Sequence, residues 1–229
     1  MSFRCFLAIL IVLLSTQTIA LAQRTAPPWP LVNTNIDAVQ HLRMLGYWTS
    51  DRDSLSDPAN KQALIAFQKV EGLKRTGTLT DATYQKLLKA STPNAKDSVH
   101  VFHIEIDLNR QVLFLVDSLD HVTHILPVST GSGKYFESEG NGRYAITPRG
   151  KFKVYYRISG WRKSPLGLLY DPLYIHNGVA IHGAPLVPAY PASHGCIRVP
   201  MYAASELFQK TPIGTIVIIF GENPKLSKN

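Results

Sequence analysis

The sequence predicts an α+β multidomain chain with two folded parts, a small three-helix module ahead of a larger, mostly-β domain. Three observations predict it. Apolar residues recur at helical spacing between Ile36 and Leu88, then give way to alternating and densely β-branched runs from Val99 onward. Between them Ser91 to Ser98, with Pro93 and Asn94, breaks the helical period and reads as a linker over 91–98. Composition is the third: 45% hydrophobic and 17% charged residues suit a chain that buries a core, and 229 residues suffice for one small and one medium domain.

In chain order, residues 1–22 place one cation, Arg4, ahead of the apolar run Phe6 to Leu14 and the small-residue site Ala20-Leu21-Ala22. That order reads as a secretory signal peptide cut after Ala22, since an uncleaved span needs about 20 apolar residues and this core is shorter. The mature chain is then expected in the periplasm or cell wall, without stable membrane insertion. Residues 23–30, with Pro27, Pro28 and Pro30, form an extended spacer, because proline lacks the N–H that regular structure needs. A formal charge of +8 suits an anionic partner. Nucleic acid, anionic lipid and an acidic wall polymer all qualify, and export disfavours nucleic acid.

The helical module spans 31–90. Ile36, Val39, Leu42 and Leu45 share a helical face that Gly46 ends. Asp57-Pro58 supplies the N-cap and first position of a second helix bearing Leu64, Phe67 and Val70, and Thr80-Asp81 opens a third with Tyr84, Leu87 and Leu88. A core of that size closes on itself with modest stability. The aspartates between 51 and 57 lack the spacing of a calcium loop and read as a solvated turn.

The β domain spans 99–221, with a C-terminal tail at 222–229. Strands are expected at 99–106, 111–116, 122–128, 151–158, 178–182 and 213–220, the first two joined in a hairpin, with one helix at 201–210. Gly131, Gly133, Gly140 and Gly142 mark a flexible loop, which lacks the strand, glycine spacing and following helix of a phosphate cradle. Arg143 to Lys163 holds seven cations and no acid. Lys151, Lys153 and Arg157 alternate with Phe152, Val154 and Tyr156, which puts the cations on one strand face, either solvated or attracting an anionic polymer.

Chemistry concentrates at Cys196. The other cysteine, Cys5, leaves with the signal peptide, so the mature protein carries one unpaired thiol, with His194, Gly195 and Arg198 around it. A buried structural cysteine needs neither an imidazole nor a cation beside it. A nucleophilic cysteine uses both to favour the thiolate, and N–H groups next to a glycine can receive a developing oxyanion. His176, His182, His194 and Cys196 could instead ligate zinc, but none of the paired Cys or His spacings of such sites is present. His100, His103, His121 and His124 read as ordinary surface or half-buried residues.

His182-Gly183, then Ser193-His194-Gly195-Cys196-Ile197-Arg198, with Thr147-Pro148-Arg149-Gly150-Lys151-Phe152 upstream, resembles the signature of the L,D-transpeptidase catalytic domain, often called the YkuD domain. The ordered set Val39-Gln40, Leu45-Gly46-Tyr47, Ala66-Phe67-Gln68, Gly72-Leu73 and Thr76-Gly77 resembles the peptidoglycan-binding module found beside wall enzymes. The resemblance implies a YkuD-like sandwich with Cys196 as nucleophile and His182 as base, oriented by the carbonyl of Gly183. It also implies that His194 shapes the site and that the N–H groups of Gly195 and Cys196 face the oxyanion. Ser193 and Arg198 are the expected substrate-binding residues, Arg198 standing where many members have asparagine. The implied partner is peptidoglycan, through its stem peptides and glycan, with no cofactor and no metal. The implied reaction forms a thioester on Cys196, releases the terminal D-alanine, and transfers the acyl group to an amine of another stem or of a wall protein. An L,D-carboxypeptidase using water at the same site, and a non-catalytic peptidoglycan-binding protein, are the alternatives.

Overall fold

A computed structural model describes residues 34–138 and 140–228. The expected signal peptide and proline-rich spacer lie outside the described residues. Three helices come first: α1 (Thr34–Met44), α2 (Pro58–Val70) and α3 (Asp81–Leu87). Their starts follow from side chains that satisfy free backbone donors. Asp57 Oδ1 accepts from Ala59 N at 2.9 Å and Thr80 Oγ1 from Thr83 N at 3.2 Å.

Strands β1 (His103–Asp107), β2 (Val112–Val116), β3 (Val122–Pro127), β6 (Gly150–Lys153) and β12 (Ile216–Phe220) form one sheet in the order β3-β2-β1-β12-β6. The pair β1 and β12 is parallel and the others antiparallel. A second sheet holds β7 (Tyr156–Arg157), β8 (Trp161–Ser164), β9 (Gly167–His176), β10 (Val179–Ala184) and β11 (Ile197–Pro200), ordered β11-β10-β9-β7 with β8 also on β9. The strands β4 (Tyr135–Ser138) and β5 (Asn141–Tyr144) make a separate hairpin, and α4 (Met201–Lys210) leads from β11 towards β12. Ile104, Ile106, Leu113, Leu115, Leu173, Ile181, Val199, Leu207 and Val217 pack into one core between the two sheets and α4.

The other face of the first sheet is covered as well. Val112, Phe114, Val116, Val122 and Ile125 share a core with Leu42, Tyr47, Leu64, Phe67 and Leu87 of the helical module. This is why β2 reads as an unbroken apolar run: Leu113 and Leu115 point into the sandwich while Val112, Phe114 and Val116 meet the helices. The helices therefore do not close on themselves, as their sequence suggested they would. Residues of the expected linker lie along β1, where the buried Glu105 carboxylate accepts from Lys96 N at 2.7 Å and Asp97 N at 2.9 Å.

Three further expectations change. Residues 151–158 are two strands in different sheets, β6 and β7, because Val154 and Tyr155 carry the chain across from one to the other. The cations of that stretch consequently share no single face. The glycine-rich loop contains the hairpin β4–β5, and β8 and β9 were not anticipated at all. His103, expected at the surface or half-buried, is fully buried, its Nδ1 bonded to Val101 O at 2.8 Å.

Candidate active site

The parallel strands β10 and β11 are joined by residues 185–196, about the dozen residues a parallel connection requires. The register pairs His182 with Arg198. Cys196 lies in the bend that immediately precedes β11, two residues before Arg198. All three line one cleft of ≈ 720 Å³.

His182 is buried, and its Nδ1 lies 2.9 Å from Gly183 O. A carbonyl accepts and cannot donate, so Nδ1 carries the proton and Nε2 is the basic nitrogen. Gly183 must be glycine, because a Cβ there would lie 2.6 Å from Ala204 Cβ of α4 and 3.2 Å from Met201 Sδ. Burial holds His182 down to about 4, and the Arg198 charge adds to the lowering, while the bond to Gly183 opposes it. Burial likewise pushes the half-buried Cys196 thiol above its ordinary range, although a hydrogen bond from Ala180 and the charges of Arg198 and Arg143 work the other way. Burial therefore disfavours the charged form of both the Cys196 thiol and the His182 imidazole.

The loop around Cys196 is held by its own side chains. Ser193 Oγ donates to Cys196 O at 2.5 Å and accepts from Gly195 N at 3.0 Å. The Gly195 N–H, expected to face an oxyanion, is thereby used inside the loop. Gly195 has φ +133, and a Cβ on it would lie 2.9 Å from Ile146 O, so no other residue fits without a shift. Thr147 Oγ1 donates to Gly195 O at 2.8 Å and accepts from Gly131 N at 2.9 Å, and Asn223 Oδ1 accepts from Thr147 N at 3.1 Å. Ser193 therefore organises the loop.

His194 is exposed at the mouth of the cleft, 4.7 Å from the Phe136 ring, and partial burial with the nearby Arg198 and Arg143 lowers its pKa. A smaller cavity of ≈ 460 Å³, walled by Lys134, Tyr135, Phe136 and Tyr190, shares His194 as a wall. Arg143, Arg162, Lys163 and Arg198 all line the main cleft, and no aspartate or glutamate does so among the described residues. No hydrogen bond or ion pair among the described residues engages the Arg198 guanidinium. Two other cations of the basic stretch serve elsewhere: Arg157 lies 3.7 Å from the Phe208 ring and donates to Thr211 O, and Arg149 pairs with Glu222, while Lys151 and Lys153 are exposed on β6. Among the described residues no three His, Cys, Asp or Glu side chains converge as a metal site would require; His176 packs instead against Phe152.

Sequence reasoning missed Thr130, Gln111 and Asn223, all of which support the Cys196 loop from distant parts of the chain. No local pattern marks them.

The chain matches the family model of the L,D-transpeptidase catalytic domain (YkuD) over residues 102–219 and that of a peptidoglycan binding domain over residues 36–87. Among solved structures it is similar to the L,D-transpeptidase from Xylanimonas cellulosilytica, with 37% identity and a TM-score of 0.77 over 81% of this chain and 92% of that one. The L,D-transpeptidase (Yku) from Stackebrandtia nassauensis shares 22% identity over 83% of this chain and 92% of that one, with a TM-score of 0.49. No curated protein matches. The two-sheet domain behind a helical module is thus of the class of transpeptidase-type enzymes joined to a peptidoglycan-binding domain. The chain belongs to the L,D-transpeptidase (YkuD) family.

Proposed function

We propose that the protein is an exported cysteine L,D-transpeptidase acting on peptidoglycan stem peptides. The observation that supports this reading is that His182 of β10 and Cys196, just ahead of β11, line a single cleft, with His182 Nδ1 bonded to Gly183 O. Cys196 Sγ attacks the carbonyl of the third stem residue while His182 Nε2 takes the thiol proton. The Cys196 N–H stabilises the oxyanion, since Gly195 N–H is engaged by Ser193. Collapse expels D-alanine, whose amine receives the proton from His182, and leaves a thioester. An acceptor amine then attacks, gives its proton to His182 and releases the thiol.

The four cations of the cleft favour a donor bearing free carboxylates, and the unengaged Arg198 guanidinium is the group best placed to take one through two parallel hydrogen bonds. Intact-protein mass after treatment with a carbapenem, and the products formed from tetrapeptide stems, test the reading. One adduct on the parent chain and none on Cys196→Ala is expected, with a cross-linked product. A product formed with water would make the protein a carboxypeptidase, and an adduct that survives in Cys196→Ala would remove Cys196 as nucleophile. Alkylation of Cys196 by iodoacetamide should climb without levelling through the region near pH 8.5 where a free thiol titrates. A plateau between pH 6 and 8 would instead reveal a preformed thiolate–imidazolium pair.

A further inference from the structure

Arg75 of the helical module bonds directly to the loop that carries Cys196, and Lys69 bonds to Gln111 and Val128, from which further hydrogen bonds lead to that loop. Arg75, just beyond α2, donates through Nη1 to Ala189 O at 3.0 Å and through Nη2 to Asn109 O at 3.3 Å. Ala189 belongs to the connection between β10 and β11. Lys69, at the end of α2 and 1% exposed, donates through Nζ to Gln111 O at 3.0 Å and to Val128 O at 2.8 Å.

From Gln111 the bonds continue without a gap. Gln111 Nε2 donates to Thr130 Oγ1 at 2.7 Å, and Gln111 Oε1 accepts from Thr130 N at 3.0 Å. Thr130 O accepts from both Ala192 N and Ser193 N at 2.9 Å. Ser193 Oγ in turn donates to Cys196 O. Beside this chain, Ser129 Oγ donates to Tyr190 O at 2.8 Å. Residues 185–192 form no regular element, and an irregular segment loses backbone entropy when it is fixed, so bonds of this kind set where the loop lies.

We propose that Arg75 and Lys69 are positioning residues, through which the helical module holds the Cys196 loop in its reactive geometry. The module then contributes to turnover of small soluble stems, beyond any role in retaining the enzyme on the wall. This inference rests on the reading of Cys196 as nucleophile.

The test uses the full chain with a soluble tetrapeptide stem, which offers the module no glycan to bind, and with a carbapenem in single-turnover acylation. Arg75 is half-buried, and Arg75→Ala should leave the melting temperature close to the parent's while lowering kcat and the acylation rate constant about three- to thirtyfold, with KM little changed. Arg75→Lys keeps the charge but cannot span Ala189 and Asn109 together, and should recover part of the loss. Should Arg75→Ala fail to fold, Arg75→Lys must still acylate more slowly than the parent. Parent-like acylation in every folded variant, or a change confined to KM or melting temperature, overturns the proposal. Absence of any adduct on the parent chain, or an adduct persisting in Cys196→Ala, would instead locate the failure in the nucleophile assignment.

Discussion

The two faces of the first sheet are buried in different ways. The inner face meets a second sheet through Leu113, Leu115 and their neighbours, an apolar contact throughout. The outer face is mixed: β2 and β3 give Phe114 and Ile125 to the helices, while β1 turns His103, Glu105 and Asp107 outward, all buried. Glu105 is satisfied there by two N–H groups of the chain between module and sheet, and Asp107 Oδ1 accepts from Asn109 N and Arg110 N in the following turn. Burying polar groups without such partners would cost several kcal/mol. The difference teaches that the module is no bead on a string: it completes the sheet's core at one edge, and hydrogen bonds finish the task at the other.

The comparison can be broken most directly in the shared core. Phe67 is fully buried and meets Tyr47 edge-on at 5.7 Å. Phe67→Ala should cost about 3–5 kcal/mol, as should Leu115→Ala to within a factor of two, and both should lower one calorimetric transition. Two resolved transitions, with Phe67→Ala moving only one, would show that the module folds apart from the sheet.

Lys69 sharpens the comparison next. Burial, then the Arg75 charge, pulls its amine down to about 7, and the neutral amine's two N–H groups match the two carbonyls it faces. The unfolded chain keeps this proton until about pH 10.4, so between those values the unfolded state holds more protons and stability rises with pH. Relative to Lys69→Met, the parent should gain on the order of 3 kcal/mol between pH 7 and 10 in denaturant titrations. Parallel stability curves for the two proteins would mean that the amine stays charged at the interface.

Glu105→Gln exchanges one accepting oxygen for a donor opposite an N–H, and should cost about 1–3 kcal/mol, with faster amide exchange at Lys96 and Asp97. Unchanged exchange there would leave the connecting chain held by other contacts. The smallest effect is that of Thr80→Ala, about 1 kcal/mol for a lost cap. Its loss should still appear in the melting of the whole chain, since α3 shares the Leu87 core with β2.

Much of this was legible in the sequence where local rules govern. The caps at Asp57 and Thr80, the helix 201–210 and the apolar run of β2 follow from side chains near one another in the chain. The longest strand was invisible because Asp171-Pro172 interrupts it. Asp171 takes φ +47 where the pairing with β10 shifts register, and its carboxylate accepts from Gly160 N and Ser205 Oγ. The hairpin β4–β5 buries no face, so its residues show no alternation to read. In the site, the family motif singled out Cys196, His182 and Ser193. Most residues that fix them were not legible, since Gln111 and Thr130 meet only after the sheets assemble, as do Asn223 and Thr147, the latter marked by the upstream motif but not as a support of the loop.

Burial that works against a charged Cys196 thiol has a consequence for survival. Peroxides and disulfides react with the thiolate, so burial that disfavours the thiolate of Cys196 slows its conversion to sulfenic acid. The same burial sorts inhibitors. With Cys196 in the proposed role of nucleophile, reagents that rely on a standing thiolate should react slowly, whereas an acylating compound seated in the cleft should still be attacked as the thiol gives up its proton.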